Sequence, residues 1–163
     1  MSDTLGELLQ KFWSWAGLSA EDYSRLTNAS EVVVPFHFPE FDMIREKCFS
    51  LINTDMNDEE ISDFLTCLAL DEEGEIILDW CKDIANTTFL MRLVSKGVNH
   101  MLADVRWQVA ELLCCRDVPQ GREVILKLCE DEHPYVRKRA QYAAANGTGG
   151  TGDGSGTGDG SVC

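Results

Sequence analysis

The chain repeats itself. Leu102-Ala103-Asp104-Val105-Arg106 and His133-Pro134-Tyr135-Val136-Arg137 set a Val-Arg pair at the same point of two helical patterns, 31 positions apart. A shorter apolar stretch precedes each, FLMRLV (89–94) and EVILKLC (123–129). Small or apolar residues return four and seven positions after each Val, as Val109 and Leu112 in one copy and Ala140 and Ala143 in the other. A helix pair used twice implies units that bury their apolar faces by stacking on one another.

At about 100° per residue, Val105, Val109, Leu112 and Leu113 fall on one arc, continued by Ala110, Cys114 and Trp107. Asp104, Gln108, Glu111 and Cys115 point elsewhere. So wide an apolar arc predicts an interior helix packed on two sides. The last helix buries Val136, Ala140, Ala143 and Ala144 and leaves Tyr135, Lys138, Arg139 and Tyr142 outside, as a terminal, capping repeat does.

Upstream, the helical period recurs. Leu5, Leu8, Leu9, Phe12 and Trp13 make one stripe over residues 3–16, and Ser19 with Asp22 caps a short helix over Ala20 to Leu26. Glu31 to Pro39 holds β-branched and aromatic residues with two prolines, which predicts an extended crossing segment. Phe41, Ile44, Cys48, Leu51 and Ile52 form the next stripe, ended by Asn53 and Thr54. Asn57 caps a helix with core positions Ile61, Phe64, Leu65 and Leu68, and a further helix from about Glu73 to Ala85 buries Ile76, Ile77, Trp80, Cys81 and Ile84. The predicted fold is all-α, one helical domain over residues 1–146. Gly147 to Cys163 (GTGGTGDGSGTGDGSVC) has nothing to bury and reads as a disordered linker, native or engineered.

The second helix of each unit resembles that of HEAT repeats, which opens with an acid, a short gap and Val-Arg, then a small residue. Asp131, Val136, Arg137 and Ala140 follow the pattern, while in the first copy His100 stands for the leading acid and Val109 for the alanine. The resemblance covers residues 89–145 and implies a short right-handed α-solenoid carrying the N-terminal helices of residues 1–88, which are open to being either separate helices or diverged repeats. It also implies that the acid and the arginine brace neighbouring repeats, which His100 cannot do as an acid would. A solenoid of this family is more often a binding scaffold than an enzyme.

Charge narrows the partners. Against 14 Lys and Arg the chain has 28 Asp and Glu, a formal charge of -14, which argues against nucleic-acid backbones and favours a basic protein partner. Eleven acids fall between Asp55 and Asp83 with Lys82 as the one base. Glu72, Glu75, Asp79 and Asp83 recur at helical spacing and, with Asp58, Glu59 and Glu60 on the helix before, form the candidate partner-binding ridge. The same acids serve equally as a solvated face.

The cysteines lack zinc or disulfide-framework spacing and read as reduced, buried small hydrophobes; Cys114 and Cys115 point about 100° apart, which disfavours a bond between them. His37, His100 and His133 are never at i, i+3 or i+4, so neither metal nor cofactor is expected, and no catalytic set is read. With no run of about eighteen apolar residues and no basic leader, a soluble cytoplasmic chain is expected. The leading expectation is a non-catalytic binding module, a specific form being an immunity-type inhibitor of a cationic toxin. A second is a HEAT-like enzyme of the DNA-base-repair type, with Trp107, Tyr135 and Asp104 near the cations Arg106, Arg116, Arg122, Arg137, Lys138 and Arg139. Seven bases against seven acids over residues 104–146 leave it no net cationic funnel. A third is a truncated or engineered fragment of a longer solenoid.

Overall fold

The computed structural model describes residues 2–29 and 37–147, so most of the predicted crossing segment Glu31 to Pro39 and the tail from residue 148 lie outside the described residues. Among those described, the chain is all-α, without strands. The helices run α1 Leu5–Ala16, α2 Ala20–Ala29, α3 Phe41–Leu51, α4 Asp58–Leu70, α5 Ile76–Ile84, α6 Thr87–Gly97, α7 Ala103–Cys115, α8 Gly121–Leu128 and α9 Pro134–Asn146.

Caps set most of these boundaries. Ser19 and Asp22 exchange hydrogen bonds at the start of α2, Asp22 N–H donating to Ser19 Oγ at 3.1 Å and Ser19 Oγ–H to Asp22 Oδ2 at 2.9 Å. Asn57 and Glu60 form a capping box on α4, and Thr4 with Glu7 another on α1. Gly17, in left-handed backbone at φ 68°, closes α1. Asn86 caps α6 by accepting the Phe89 N–H at 2.9 Å.

Second-neighbour packing runs through the odd-numbered helices. Helices α3, α5, α7 and α9 each rest on the next of that set, and α4 lies against α1, α6 and α7. The core runs continuously from Leu5, Phe12 and Ile44 through Phe64, Leu65 and Leu90 to Val109, Leu128 and Ala140. Gly97 lets α6 approach α7 closely: a Cβ there would lie 2.6 Å from Val109 Cγ2.

Helix α7 is interior to a degree that hydropathy does not foretell. Arg106, Gln108 and Glu111 are buried along with its apolar residues. Gln108 and Glu111, which lie off the apolar arc, are thus enclosed as well. Gln108 Nε2 donates to the Leu68 carbonyl at 2.9 Å while its Oε1 is buried without a partner, and Glu111 accepts from Lys82 at 3.5 Å and from Arg139.

Two arginine clasps bridge successive members of the same set. From α7, Arg106 Nε and Nη2 donate to Asp131 Oδ2 and Oδ1 at 2.8 and 3.1 Å, and Asp131 Oδ1 accepts the His133 N–H at 2.9 Å, at the entrance of α9. From α3, Arg45 Nε and Nη2 donate to Asp71 Oδ1 at 2.8 and 2.7 Å, and Asp71 Oδ2 accepts the Ile77 N–H at 2.9 Å, at the entrance of α5. In each, one carboxylate holds an arginine from the helix behind and caps the helix ahead. The readable repeat itself shows a further match: Arg106 Nη1 donates to the carbonyls of His100 and Met101, and Arg137 Nη1 to those of Asp131 and Glu132.

His100 keeps half of the acid's job. Its Nδ1 accepts the Leu102 N–H at 3.2 Å, two residues on, as Asp131 does from His133. Burial, and then the Arg106 charge, push its pKa down to about 4, so it remains a neutral acceptor. The other half, receiving an arginine, is what an imidazole beside Arg106 cannot do.

Cys48, Cys67, Cys81 and Cys114 are buried free thiols and Cys129 a half-buried one, with burial raising the thiol pKa of Cys67, Cys81, Cys114 and Cys129. Cys115 departs from the expectation of reduced cysteines in being disulfide-bonded.

Candidate functional site

The predicted acidic ridge divides into separate local arrangements. Helix α5 begins at Ile76, not near Glu73, because the chain turns tightly over Asp71 to Glu75 with Gly74 N–H and Glu75 N–H both donating to the Asp71 carbonyl. Glu75 takes left-handed backbone at φ 48°. Helical spacing therefore holds for Asp79 and Asp83, both exposed on α5, while Glu72 and Glu75 sit in the turn ahead of it.

The turn acids face a second group. Burial, then the negative charges of Asp104, Glu73 and Glu75, raise the Glu72 carboxyl to about 7. Burial also raises Asp104, although Trp107 Nε1–H donates to its Oδ1 at 3.2 Å and opposes the shift. Tyr23, raised mainly by its burial, and Tyr135 complete this half-buried anionic corner between α2, the turn before α5, α7 and α9.

At the start of α4 the acids are already engaged. Asp58 pairs with Lys96 of α6 at 2.8 Å, which holds its carboxyl below the usual range, and Glu60 is held by the capping box. Asp55 pairs with Arg92, also of α6, at 3.0 Å. Glu59 is exposed and has no ion pair among the described residues. Of the seven predicted residues, then, Glu72 and Glu75 come together near Asp104, Asp79 and Asp83 share one exposed stripe, and of the three at the start of α4 Asp58 pairs with α6, Glu60 caps its own helix and Glu59 is exposed.

The cations turn inward. Arg45, Lys82, Arg106 and Arg139 are ion-paired to buried carboxylates, and Arg116 donates to the carbonyls of Cys81, Lys82 and Ala85, closing the C-terminal end of α5. Trp107 is 7% exposed, edge to face against Tyr135 at 5.6 Å with the Arg139 guanidinium 5.7 Å from its ring centroid. A base could not stack on it without displacing both.

Sequence periodicity missed one surface feature. Ile84, assigned to the core, is 46% exposed, and Trp80 is half-buried, packing edge to face on the exposed Phe49 of α3 with ring centroids 5.0 Å apart. The signal was present in the spacing. Ile77 with Cys81 and Trp80 with Ile84 are two adjacent i, i+4 stripes, and a helix at the edge of a core buries only one fully.

Among the described residues no group of three His, Cys, Asp or Glu is disposed to hold a metal ion, and no helix is long and apolar enough to cross a membrane. Comparison with protein-family models, curated proteins and solved structures returned no match.

Proposed function

We propose that this chain is a non-catalytic protein-binding scaffold of HEAT-like solenoid type, whose acidic surface receives a basic protein partner. The observation that carries the reading is the one-sided use of charge. Arg45, Lys82, Arg106, Arg116, Arg137 and Arg139 are spent inside the fold, on Asp71, Glu111, Asp131 and backbone carbonyls, whereas Glu59, Glu73, Glu75 and Asp83 have no ion pair among the described residues. The surplus of acid is thereby displayed at the surface, where it steers and selects a cationic partner. The solenoid reading draws on the second-neighbour packing and on the Asp131 and Asp71 clasps, which do what a brace between repeats is expected to do.

An immunity-type inhibitor of a cationic toxin remains the specific form proposed, with an intracellular site of action. The base-repair reading loses support because Arg106, Arg116, Arg137 and Arg139 are already committed to carboxylates and carbonyls. Affinity capture from native lysate tests the main reading. The wild type is expected to retain a basic protein that the Glu72→Lys, Glu75→Lys, Asp79→Lys, Asp83→Lys variant loses; identical captures by the two would overturn it.

A further inference from the structure

The acidic surface has an apolar centre. Phe49 is 50% exposed, Trp80 stands against it at 5.0 Å, and Ile84 follows one turn after Trp80. Two linkages hold the patch as one surface: Asn53 Nδ2–H donates to the Ile84 carbonyl at 2.9 Å, and Asn53 Oδ1 accepts the Asn86 N–H at 2.6 Å. The end of α3 is thus tied to the end of α5, and the aromatic pair needs little further ordering before it can bind.

The rim is anionic. Asp79 and Asp83 occupy the stripe of α5 beside Trp80 and Ile84, and Glu46 lies one turn before Phe49 on α3; all three are exposed. Of the cations on the same helices, Arg45 pairs with Asp71 and Asp42, Lys82 is shared between Glu111 and Asp79 at 3.5 Å each, and Lys47 stands toward the Ser2 and Asp3 end of the chain, so that Asp83 and Glu46 have no ion pair among the described residues. A rigid aromatic anchor inside a ring of charge is the usual make-up of a binding hot spot. A second copy of this chain would bring Asp79 and Asp83 against their own kind, and an anionic lipid surface would be repelled by the same acids.

We infer that Phe49, Trp80 and Ile84 form the anchor of a docking surface for a cationic amphipathic segment of a partner protein. An apolar side chain of that segment seats on the Phe49–Trp80 pair, and flanking Lys or Arg residues meet Asp79, Asp83 and Glu46. The inference rests on the acidic-face reading and gives it a place and a partner chemistry.

The test uses the full chain, a synthetic Leu/Lys amphipathic helical peptide, and a Leu/Glu peptide of the same length as control. Amide chemical shifts of the labelled protein are followed at low salt. Binding of the Leu/Lys peptide alone is expected, with perturbations centred on residues 46–53 and 79–85. Phe49→Ser, whose fold is checked by its thermal melt, is expected to weaken it about tenfold or more, as is Asp79→Asn with Asp83→Asn. Perturbations centred on any other surface overturn the inference, as does concentration-dependent dimerisation that Phe49→Ser abolishes. If the Asp variant loses binding while Phe49→Ser changes it less than about twofold, the anchor fails and the acidic-face reading stands. Absence of binding even at low salt overturns both.

Discussion

Asp131 shows how much one side chain carries. It is almost fully buried, receives two hydrogen bonds from Arg106, and accepts the His133 N–H in front of α9. Asp131→Ala leaves the Arg106 guanidinium buried without its counter-charge and is expected to cost about 3–5 kcal/mol in urea denaturation. Replacing both partners, as Arg106→Met with Asp131→Leu, should recover most of that loss, since the penalty belongs to the stranded charge. Glu72 has the opposite character. Its folded pKa, about 7, lies above the ordinary 4.5, so the fold favours the protonated form. Stability from this group is present below about pH 4.5, is lost as pH rises through 7, and above that the ionised carboxylate is a net cost. Glu72→Gln should therefore stabilise the protein at pH 8 by about 1 kcal/mol, discounted for partial solvent exposure, and have no effect at pH 4. Equal effects at the two pH values would show that Glu72 titrates normally.

At the scale of elements, what was legible in the sequence was what local chemistry controls. The stripes of α1, α3, α4 and α7 and the caps Ser19–Asp22 and Asn57–Glu60 follow from side-chain period and from donors that need an acceptor. Features set by non-local pairing were not legible. Gln108 and Glu111 fall off the apolar arc of α7 by hydropathy, yet each is buried with a partner at least 28 positions away. The start of α5 was misplaced for the same reason, because the Asp71 carboxylate and carbonyl decide the turn. Part of the acidic candidate site was thus correctly typed as acid but wrongly joined into one ridge. Element contact also makes a prediction at Gly97. Gly97→Ala drives a methyl into Val109 and should destabilise by about 1–3 kcal/mol despite the better helix propensity of alanine. Val109→Ala in the same chain should relieve most of it in thermal melts, and failure of that rescue would place the strain elsewhere.

Across the whole molecule, α7 is the helix on which the others converge, touching α2, α4, α5, α6, α8 and α9. Its amides are expected to exchange with solvent only through global unfolding, whereas those of α2, whose principal packing is against α7, should open earlier; hydrogen exchange that ranks α2 with α7 would contradict this. Glu111 gives that centrality a further meaning. Its single carboxylate takes Lys82 from α5 and Arg139 from α9, side chains that belong to opposite flanks of the stack. Two residues sharing one counter-ion behave like tenants of one site: removing either frees the carboxylate to hold the other more firmly. Lys82→Met and Arg139→Met should therefore be non-additive in their cost, giving the two flanks of the protein a thermodynamic acquaintance through a group that neither flank owns.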